Sequence, residues 1–413
     1  MSARHVVRAV VVMTGLAACG GGSDTQTVSV GIAPKNPNLQ VGTELQFVAS
    51  VGGTTDKTVT WSATGCGSIS PTGLFTAPAT PGTCTVVVTS HADPTKSAEA
   101  TVTVTTSSVS AWRPFSADSP WNTPIPPNPE QQSDSAQLVQ AFMTSSPQWP
   151  FISINISGYS IPLYWADAGT TSYPMSVDYG GQGWGGSNTT ASMPIPAGAE
   201  PDPQSDHHML VISADRKTEY GCWNVSHSGA SWHAGVCATS DLTSTGVRPA
   251  AGQPGVQYPQ AAGSRACGFP LVAGLIRVEE IQAGHIDHAL VIAYPGILDH
   301  GFIPPASTPS NGSGADYGVP CGGRFQYDPS VDVETLPISK TGKIIMRALQ
   351  EYGAYVGDYS GALSLSAENS PEAQAYWATG ALSESEFVDN YVSKIDMTKF
   401  RVISYGQTPF EVH

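Results

Sequence analysis

The chain has 413 residues, of which only 12% are charged, and its formal net charge is −15 at pH 7. Gly and Pro are abundant, with 43 and 33 residues, which is typical of a β-rich protein with many turns. Residues 1–111 are electrically balanced, so residues 112–413 carry the whole acidic excess. Such a domain is repelled by nucleic acid and anionic lipid. We therefore expect no nucleic-acid partner and no strongly polyanionic substrate.

The first 26 residues predict a targeting segment followed by a flexible tether. Residues 1–18 combine a basic start with an apolar stretch that is too short to span a bilayer. The tetrapeptide Leu16-Ala17-Ala18-Cys19 resembles the lipobox of bacterial lipoproteins, which implies a signal peptide over 1–18 and lipidation of Cys19. The alternative is an ordinary cleaved signal with a chance cysteine. With residues 19–26 as the tether, we expect a lipid-anchored protein at the bacterial cell surface or outer membrane.

Six cysteines remain when Cys19 is set aside, an even number that predicts three disulfides in an oxidising compartment. Cys66 and Cys84 lie in one predicted domain and therefore pair with each other. The remaining four allow three pairings, of which we expect the local one. This choice joins Cys222 to Cys237 and Cys267 to Cys321.

Residues 27–105 alternate apolar and polar residues in short runs separated by turns, which is typical of a small β-sandwich. The segments "VGTELQFVASV", "VTWSAT", "GLFTAPATPGT" and "AEATVTV" resemble the bacterial Ig-like group 2 domain (BIG2). The resemblance implies a spacer or adhesion module without chemistry, in which Trp61 is a core residue. Residues 106–111 then form a linker.

Residues 112–413 predict a larger β-sandwich or jelly-roll-like domain with helices at its C-terminal end, so that the chain is mainly β. An apolar stripe predicts a helix over 134–145, and a second one predicts a helix over 339–355. Ser370 and Pro371 predict the start of another helix. Ser383 and Glu386 form the pattern of a capping box, which predicts a last helix.

Seven of the ten histidines lie between 207 and 300, and two of them precede similar apolar runs, "SDHHMLVI" and "GHIDHALVI". On an extended strand Asp206 and His208 share a face, whereas Asp287 and His288 do not. If the two strands are neighbours, His208 and His288 meet with Asp206 as the carboxylate between them. We therefore predict these three as catalytic residues. The alternative is that the histidines bond to loop backbone at the strand ends.

The segment 218–242 becomes a clamped hairpin if Cys222 pairs with Cys237. Its carboxylates Glu219 and Asp241 are candidate catalysts, because two carboxylates suffice for glycoside hydrolysis. The rings of the segment are candidates for substrate binding, because aromatic faces stack on sugars. These are Trp223, Trp232 and His233. The alternative is that both tryptophans pack in the core.

Two arginines and one aspartate complete the candidates. Arg277, inside the apolar run "AGLIRVEEI", is predicted to hold substrate or a catalytic carboxylate. A salt bridge to Glu279 or Glu280 is the alternative. Arg324 is predicted to bind substrate as well. Asp358 is either catalytic or shapes the turn that follows it.

A second resemblance covers nearly all of residues 112–413. It rests on "SPWNTPIP", "MPIPAGAEPDPQSDHHMLVI", "CGFPLVAGLIRVEEIQAGHIDHALVI", "GGRF" and "RALQEYGAYVGD", which are similar to a family of secreted bacterial proteins without an established activity. The resemblance points to positions and not to a reaction. The positions are Asp206, His208, Trp232, Asp241, Arg277, Glu280, His288, Arg324 and Asp358.

These observations favour an extracellular polysaccharide as the partner, and glycoside hydrolysis by Asp, Glu and His acid–base chemistry as the reaction. A non-catalytic glycan-binding or adhesion lipoprotein with an Ig-like stalk is the alternative. A polysaccharide lyase and a metal-dependent hydrolase are weaker alternatives. No cofactor is predicted, although "DHH" and "HIDH" together could bind a divalent metal.

Overall fold

The computed structural model describes residues 27–35, 37–40, 44–78, 80, 82–105, 112–253, 256, 262–310 and 313–411. The predicted signal peptide, tether and linker, with Cys19, lie outside these residues. The described chain is mainly β, with several sheets and few helices, as the composition and alternation predict.

Residues 27–105 fold into nine strands around a hydrophobic core of their own. These strands form one four-stranded, one three-stranded and one two-stranded sheet. Trp61 packs against this core, 6.3 Å from the ring of Phe47. The strands are β1 (Ser29–Ala33), β2 (Asn38–Gln40), β3 (Glu44–Gln46), β4 (Val48–Gly52), β5 (Val59–Thr64), β6 (Ser68–Ile69), β7 (Leu74–Thr76), β8 (Gly82–Ser90) and β9 (Ser97–Thr105).

Residues 112–411 hold seventeen further strands among the described residues. They are β10 (Ile152–Asn155), β11 (Leu163–Trp165), β12 (Ser172–Gly180), β13 (Ser187–Pro194), β14 (Met209–Ile212), β15 (Thr218–Trp223), β16 (Ser226–Ser228), β17 (Ser231–Asp241), β18 (Leu290–Ala293), β19 (Gly301–Phe302), β20 (Arg324–Tyr327), β21 (Ala354–Asp358), β22 (Leu363–Ser366), β23 (Val388–Asp389), β24 (Val392–Ser393), β25 (Phe400–Val402) and β26 (Phe410–Glu411).

Two mixed sheets dominate this part of the chain. The six-stranded sheet has the order β10-β22-β18-β21-β20-β25, and the other has the order β11-β14-β15-β17-β12-β13, with β16 added on β17. Each contains parallel pairs, such as β10 with β22 and β11 with β14. Parallel strands need long crossover connections. Local alternation of residues therefore predicts these strands but not their partners.

The six-stranded sheet has one apolar and one polar face near its β10 edge. The sequences of β10 ("ISIN") and β22 ("LSLS") alternate, and their apolar residues are buried in the main core. Because alternate side chains point to opposite faces, the serines and the asparagine lie together on the other face. Ser153 pairs with Ser364 and Asn155 with Ser366. This polar face becomes the floor of the cleft described below.

Four α-helices are described, α1 (Ser135–Thr144), α2 (Val278–Ala283), α3 (Lys340–Glu351) and α4 (Pro371–Tyr376). The predictions for α1, α3 and α4 are confirmed. The Ser339 hydroxyl accepts from Gly342 N–H at 3.0 Å, and Ser370 caps α4 with Pro371 at its first position. Short 3-10 turns occur at Val333–Thr335 and Met397–Lys399, and a π-helical segment at Trp377–Ala381. Within the described ranges, no helix has the length and hydropathy of a membrane span.

The helix predicted after Ser383 is wrong, because the chain there forms the β23–β24 hairpin. Asn390 and Tyr391 at its tip have φ of 48° and 64°, which a helix does not allow. The buried Glu386 carboxylate does cap a helix, but a different one. It accepts a hydrogen bond from Ser339 N–H at 2.8 Å, at the start of α3.

All three predicted disulfides are present, namely Cys66–Cys84, Cys222–Cys237 and Cys267–Cys321. Cys222 and Cys237 are direct partners in the register of β15 and β17. The predicted clamp across this hairpin is therefore confirmed.

Candidate functional site

A cleft of about 240 Å³ opens where the polar face of β10, β22 and β18 meets the loops preceding β11 and β14. Three predicted catalytic residues line it together: Asp206, His208 and Asp358. Arg265, which the sequence analysis did not single out, lies beside them. The floor is formed by small or polar side chains, those of Asn155, Ala293, Ser364 and Ser366. Because these side chains are short, they leave the space that larger residues would fill.

Asp206 and His208 both line the cleft, but not because alternate residues of a strand share a face. The strand β14 begins at Met209, so both residues lie in the preceding turn. Between them His207 has a φ of 43°, and its Nδ1–H donates to the carbonyl of Asp202 at 2.9 Å. The turn therefore directs His207 away while its two neighbours line the cleft.

The carboxyl of Asp358 lies at the end of β21, where the sheet opens into the cleft. Burial raises the pKa of Asp358 to about 6. The positive charge of Arg265 opposes this rise, and the negative charge of Asp206 adds to it. The N–H of Tyr359 donates to its Oδ1 at 3.0 Å. A carboxyl with this pKa carries its proton in mildly acidic solution and can donate it.

Burial also raises the pKa of Asp206, although this residue is half-exposed. A hydrogen bond from the indole N–H of Trp223 stabilises the ionised form and limits the rise. Trp223, a predicted substrate-binding residue, therefore contacts the catalytic candidate Asp206. The result is a pair of coupled carboxyls with different environments, a pattern that divides acid and base roles between two groups.

His208 is a neutral imidazole. Burial and the charge of Arg265 lower the pKa of His208 to about 3. Its Nε2–H donates to the carbonyl of Ser264 at 3.4 Å, and its Nδ1 has no hydrogen-bond partner among the described residues. Asp206 therefore does not orient this ring, contrary to one of the roles considered for it. Nδ1 is itself buried, so solvent does not reach this lone pair.

Arg265 is a buried cation, and its Nη2 donates to the carbonyl of Leu271 at 3.1 Å. Burial lowers the pKa of Arg265, and the negative charges of Asp358 and Glu219 oppose this fall. No motif marks this residue in the sequence.

The serines and the asparagine of the floor could have been found, because the alternation in "ISIN" and "LSLS" predicts a polar face.

Two tyrosines on the cleft lining are exposed, Tyr159 by 52% and Tyr359 by 47%. The loop of Tyr159 is held by the buried carboxylate of Asp202, which accepts from the N–H groups of Tyr159 and Ser160 at 3.2 and 3.3 Å. Exposed aromatic rings beside polar groups are typical of sugar-binding sites, since a ring face stacks on the apolar face of a pyranose.

His288 does not meet His208. The strand after His208, β14, lies in the seven-stranded sheet, whereas β18, which follows His288, lies in the six-stranded sheet. His288 is buried, with Nε2 2.7 Å from Glu280 Oε1 and with Nδ1–H donating to the carbonyl of Ala289. The interpretation of the two histidines as neighbours across adjacent strands is therefore wrong.

Arg277 follows the salt-bridge alternative. Its Nη2 lies 2.7 Å from Glu280 Oε1, and its Nε lies 3.2 Å from Glu279 Oε1. Burial works against ionisation of Glu280, yet the charges of Arg277 and His288 hold its pKa below the usual value. This compact ion cluster caps the start of α2 and lies outside the lining of the cleft.

The two hairpin carboxylates also lie outside the lining. Glu219 is buried, and its oxygens accept from the N–H groups of Leu271 and Val272 at 2.7 and 3.1 Å. Asp241 is exposed and accepts from the backbone and hydroxyl of Thr243, so it stabilises a turn. Their bonds to neighbouring backbone give both a structural role.

Trp232 and His233 lie outside the lining of the cleft. Trp232 is buried in a core and stacks on the ring of His227 at 4.2 Å, which is the core alternative for this tryptophan. His233 lies on the sheet surface, with its Nδ1 3.1 Å from the hydroxyl of Ser176. Trp232 is therefore not exposed to the cleft, whereas Tyr159 and Tyr359 are exposed on its lining.

Arg324 likewise has internal partners. Its Nε donates to the carbonyl of Tyr352 at 2.7 Å, and its Nη2 donates to that of Thr123 at 2.8 Å. Its guanidinium lies 4.8 Å from the ring centre of Tyr355. These contacts tie β20 to its neighbours.

The segments "DHH" and "HIDH" do not form one metal-binding group. In the part of the chain that the structure describes, no group of three or more His, Cys, Asp or Glu side chains could hold a metal ion. His285 instead lies 3.2 Å from Asp287 in an exposed pair.

No protein-family model and no curated protein matches this chain. Its function is therefore inferred from the geometry of the cleft.

Proposed function

We propose that residues 112–413 hydrolyse a glycosidic bond of an extracellular polysaccharide in the cleft between the two sheets. The observation that carries the proposal is the pair of coupled carboxyls, Asp206 and Asp358, in an open cleft that exposed tyrosines flank. Two carboxyls with separate acid and base roles are the minimal apparatus of this reaction.

Asp358 acts as the general acid. Its carboxyl donates a proton to the glycosidic oxygen while the bond from that oxygen to the anomeric carbon breaks. The Asp206 carboxylate assists the attack on the anomeric carbon in one of two ways. It accepts a proton from the attacking water, or it bonds to the anomeric carbon itself. In the second case water, which gives its proton to the Asp358 carboxylate, then cleaves the glycosyl ester and restores both carboxyls. The products are a free hydroxyl and a new reducing end.

The remaining lining residues bind and orient the sugar. Tyr159 and Tyr359 stack on the ring, while the polar side chains of the floor bond its hydroxyls. The volume of about 240 Å³ lies below the usual range for drug-sized ligands and suits about one sugar ring.

We favour a neutral polysaccharide over a uronate. The cleft lining holds two acidic side chains, and Arg265 is the one Lys or Arg side chain described there. The negative charges of Asp358 and Glu219 already act on this arginine. A lyase would need cationic or polar groups that neutralise the substrate carboxylate before proton abstraction.

We further propose that the chain is a lipoprotein anchored through Cys19 at the outer surface, and that residues 27–105 are an Ig-like spacer. The nine short strands and the separate core of these residues are consistent with that role. In this arrangement the spacer holds the cleft away from the membrane, where a polymer can reach it.

The test is to incubate the purified full chain with a panel of neutral and acidic glycans. We expect new reducing ends from a neutral glycan, with activity that falls as the pH rises above about 6, because Asp358 then loses its proton. Asp358→Asn and Asp206→Asn should each lower the rate by roughly 10²–10⁴-fold. Asp241→Asn, which changes an exposed carboxylate outside the cleft, is the matched control and should retain activity.

The competing functions give different results. New absorbance at 235 nm without water uptake would indicate a lyase. Binding without turnover would favour the glycan-binding alternative, for which the exposed tyrosines are the specific observation. Full activity in both aspartate variants would contradict the proposed carboxyl pair.

A further inference from the structure

A second group of exposed aromatic side chains lies outside the cleft. Trp149 is 43% exposed and Tyr391 is 72% exposed, and their ring centres are 5.7 Å apart with the planes tilted by 42°. The neighbouring Val392 is exposed as well. Large apolar side chains that are exposed side by side mark interaction surfaces, whereas scattered ones do not. We call Trp149, Tyr391 and Val392 the aromatic patch.

Neighbouring parts of the fold hold the rings of the aromatic patch in place. Trp149 packs edge-on against the buried ring of Phe151, with centres 5.8 Å apart and planes at 87°. Tyr391 lies at the tip of the β23–β24 hairpin, where both tip residues have positive φ. A bulky residue rarely adopts this conformation. The hairpin therefore presents Tyr391 to solvent beside the indole instead of folding it inward.

The aromatic patch is connected to one end of the cleft. The N–H of Trp149 donates to the carbonyl of Ser146 at 3.0 Å. The hydroxyl of Ser146 donates to the carbonyl of Gly361 at 3.3 Å. Gly361 lines the cleft and follows Tyr359 and Ser360 in the same loop. A chain molecule that leaves the cleft past Tyr359 therefore has the patch within reach.

We propose that the aromatic patch is a binding subsite for further sugar rings of the same neutral glycan chain whose end or segment occupies the cleft. The proposal rests on the proposed function and deepens it, because it makes a polymer the preferred substrate over a short oligosaccharide. Ring faces of Trp and Tyr stack on the C–H faces of sugars. The amide side chains of Gln148 and Asn390 flank these rings in the sequence and can bond hydroxyls.

A glycan fits these observations better than a protein partner does. Continuity with a cleft lined by tyrosines favours an occupant that repeats the same chemistry along its length. The patch holds three large side chains, whereas a stable protein interface needs roughly 20–30 residues on each side. A short stacking surface is sufficient for one or two sugar rings.

The experiment compares Trp149→Ala and Tyr391→Ala with the wild type on two substrates, the cleaved polymer and the shortest oligosaccharide that is cleaved. We expect the ratio of kcat/KM for the polymer to that for the oligosaccharide to fall by roughly ten-fold in each variant, through loss of ring stacking. Tyr179→Ala is the matched control. It removes a ring that is 58% exposed on β12 of the other sheet, and the ratio should not change.

A binding measurement makes the result independent of turnover. In the Asp358→Asn background, affinity electrophoresis in gels containing the polymer reports binding alone. We expect Trp149→Ala and Tyr391→Ala to weaken the retardation and Tyr179→Ala to preserve it. Unchanged retardation in both patch variants overturns the inference while leaving the proposed hydrolysis intact. If the wild type shows no hydrolysis, weakened retardation in the patch variants still supports the patch and contradicts the proposed reaction.

Discussion

At the scale of single residues, the proton of Asp358 links the chemistry of the cleft to the stability of the fold. Its folded pKa of about 6 lies above the usual 3.8, because the ionised carboxylate is buried. Well below pH 3.8 both the folded and the unfolded carboxyl are protonated, so burial of the ion costs nothing. Between about pH 4 and 6 the unfolded carboxyl ionises while the folded one keeps its proton, so the free energy of unfolding falls. Above about pH 6 the folded state also holds the ion, and the full destabilisation is present.

We therefore predict that Asp358→Asn stabilises the protein at pH 7, by on the order of 1–3 kcal/mol, while it lowers the rate of turnover by roughly 10²–10⁴-fold. The gain should disappear near pH 4. Urea unfolding at the two pH values measures both quantities. The control is Asp241→Asn, in which hydrogen bonds from Thr243 hold the pKa of the native carboxylate below its usual value. Its effect at pH 7 should have the opposite sign, and a gain in both variants would contradict the argument.

Three of the catalytic candidates from the sequence, Asp206, His208 and Asp358, lie together in the cleft, whereas other candidates lie elsewhere for a definable reason. The local pattern at His288 matches that at His208, yet a local pattern does not fix which sheet a strand joins. The residue type of Trp232 suits sugar binding, and only packing shows that its ring is buried.

At the scale of elements, the Cys222–Cys237 bridge connects the hairpin to the site. Cys222 precedes Trp223, whose indole N–H bonds to the Asp206 carboxylate. The bridge spans a sequence separation of 15, for which loop closure predicts a stabilisation of about 3 kcal/mol.

Replacing Cys222 and Cys237 together by alanine should therefore lower the free energy of unfolding by about 3 kcal/mol. It should also reduce activity in the fraction that remains folded, because Trp223 loses its fixed position. Unfolding curves and kinetics at 15 °C measure the two effects. The matched control replaces Cys66 and Cys84, which lie in the nine-stranded part, and should leave kcat unchanged. Equal losses of kcat in both double variants would show that the bridge has no particular link to the site.

Local sequence rules predict some of the helices and strands and fail for others. The helices α3 and α4 begin directly after Ser339 and Ser370, because a serine cap bonds to backbone within three residues. The capping pattern at Ser383 failed because Glu386 bonds to Ser339, 47 residues away. The parallel strand pairs of both sheets cannot be predicted from local rules either, because the paired strands are distant in the chain.

At the scale of the whole molecule, the sequence predicted a mainly β chain, and its three disulfides joined the correct cysteines. The arrangement of two mixed sheets with a cleft between them follows from long-range pairing. Arg265 and the tyrosines of the cleft enter the site only through that arrangement.

The proposed anchor is tested on the intact chain. Cys19→Ser should move the protein from the membrane fraction to the soluble fraction of the producing cells, because the thiol that carries the lipid is lost. Immunoblots of the two fractions measure this, with Ser23→Ala as a control within the same tether. Equal partition of the wild type and Cys19→Ser would contradict lipid anchoring, and it would leave the proposed hydrolysis untouched.

Asp202 fixes the spacing between the two loops at the mouth of the cleft, and this spacing affects binding. One buried carboxylate accepts from the loop of Tyr159, while its own backbone bonds to His207 and His208 on the opposite loop. The two walls of the mouth therefore share one anchor and keep a fixed spacing before any ligand arrives. A ligand that matches this spacing loses little free energy to ordering the loops, whereas a wider one must break several bonds to a buried ion. The cleft should thus discriminate by the width of the sugar chain, and branched glycans should bind more weakly than linear ones.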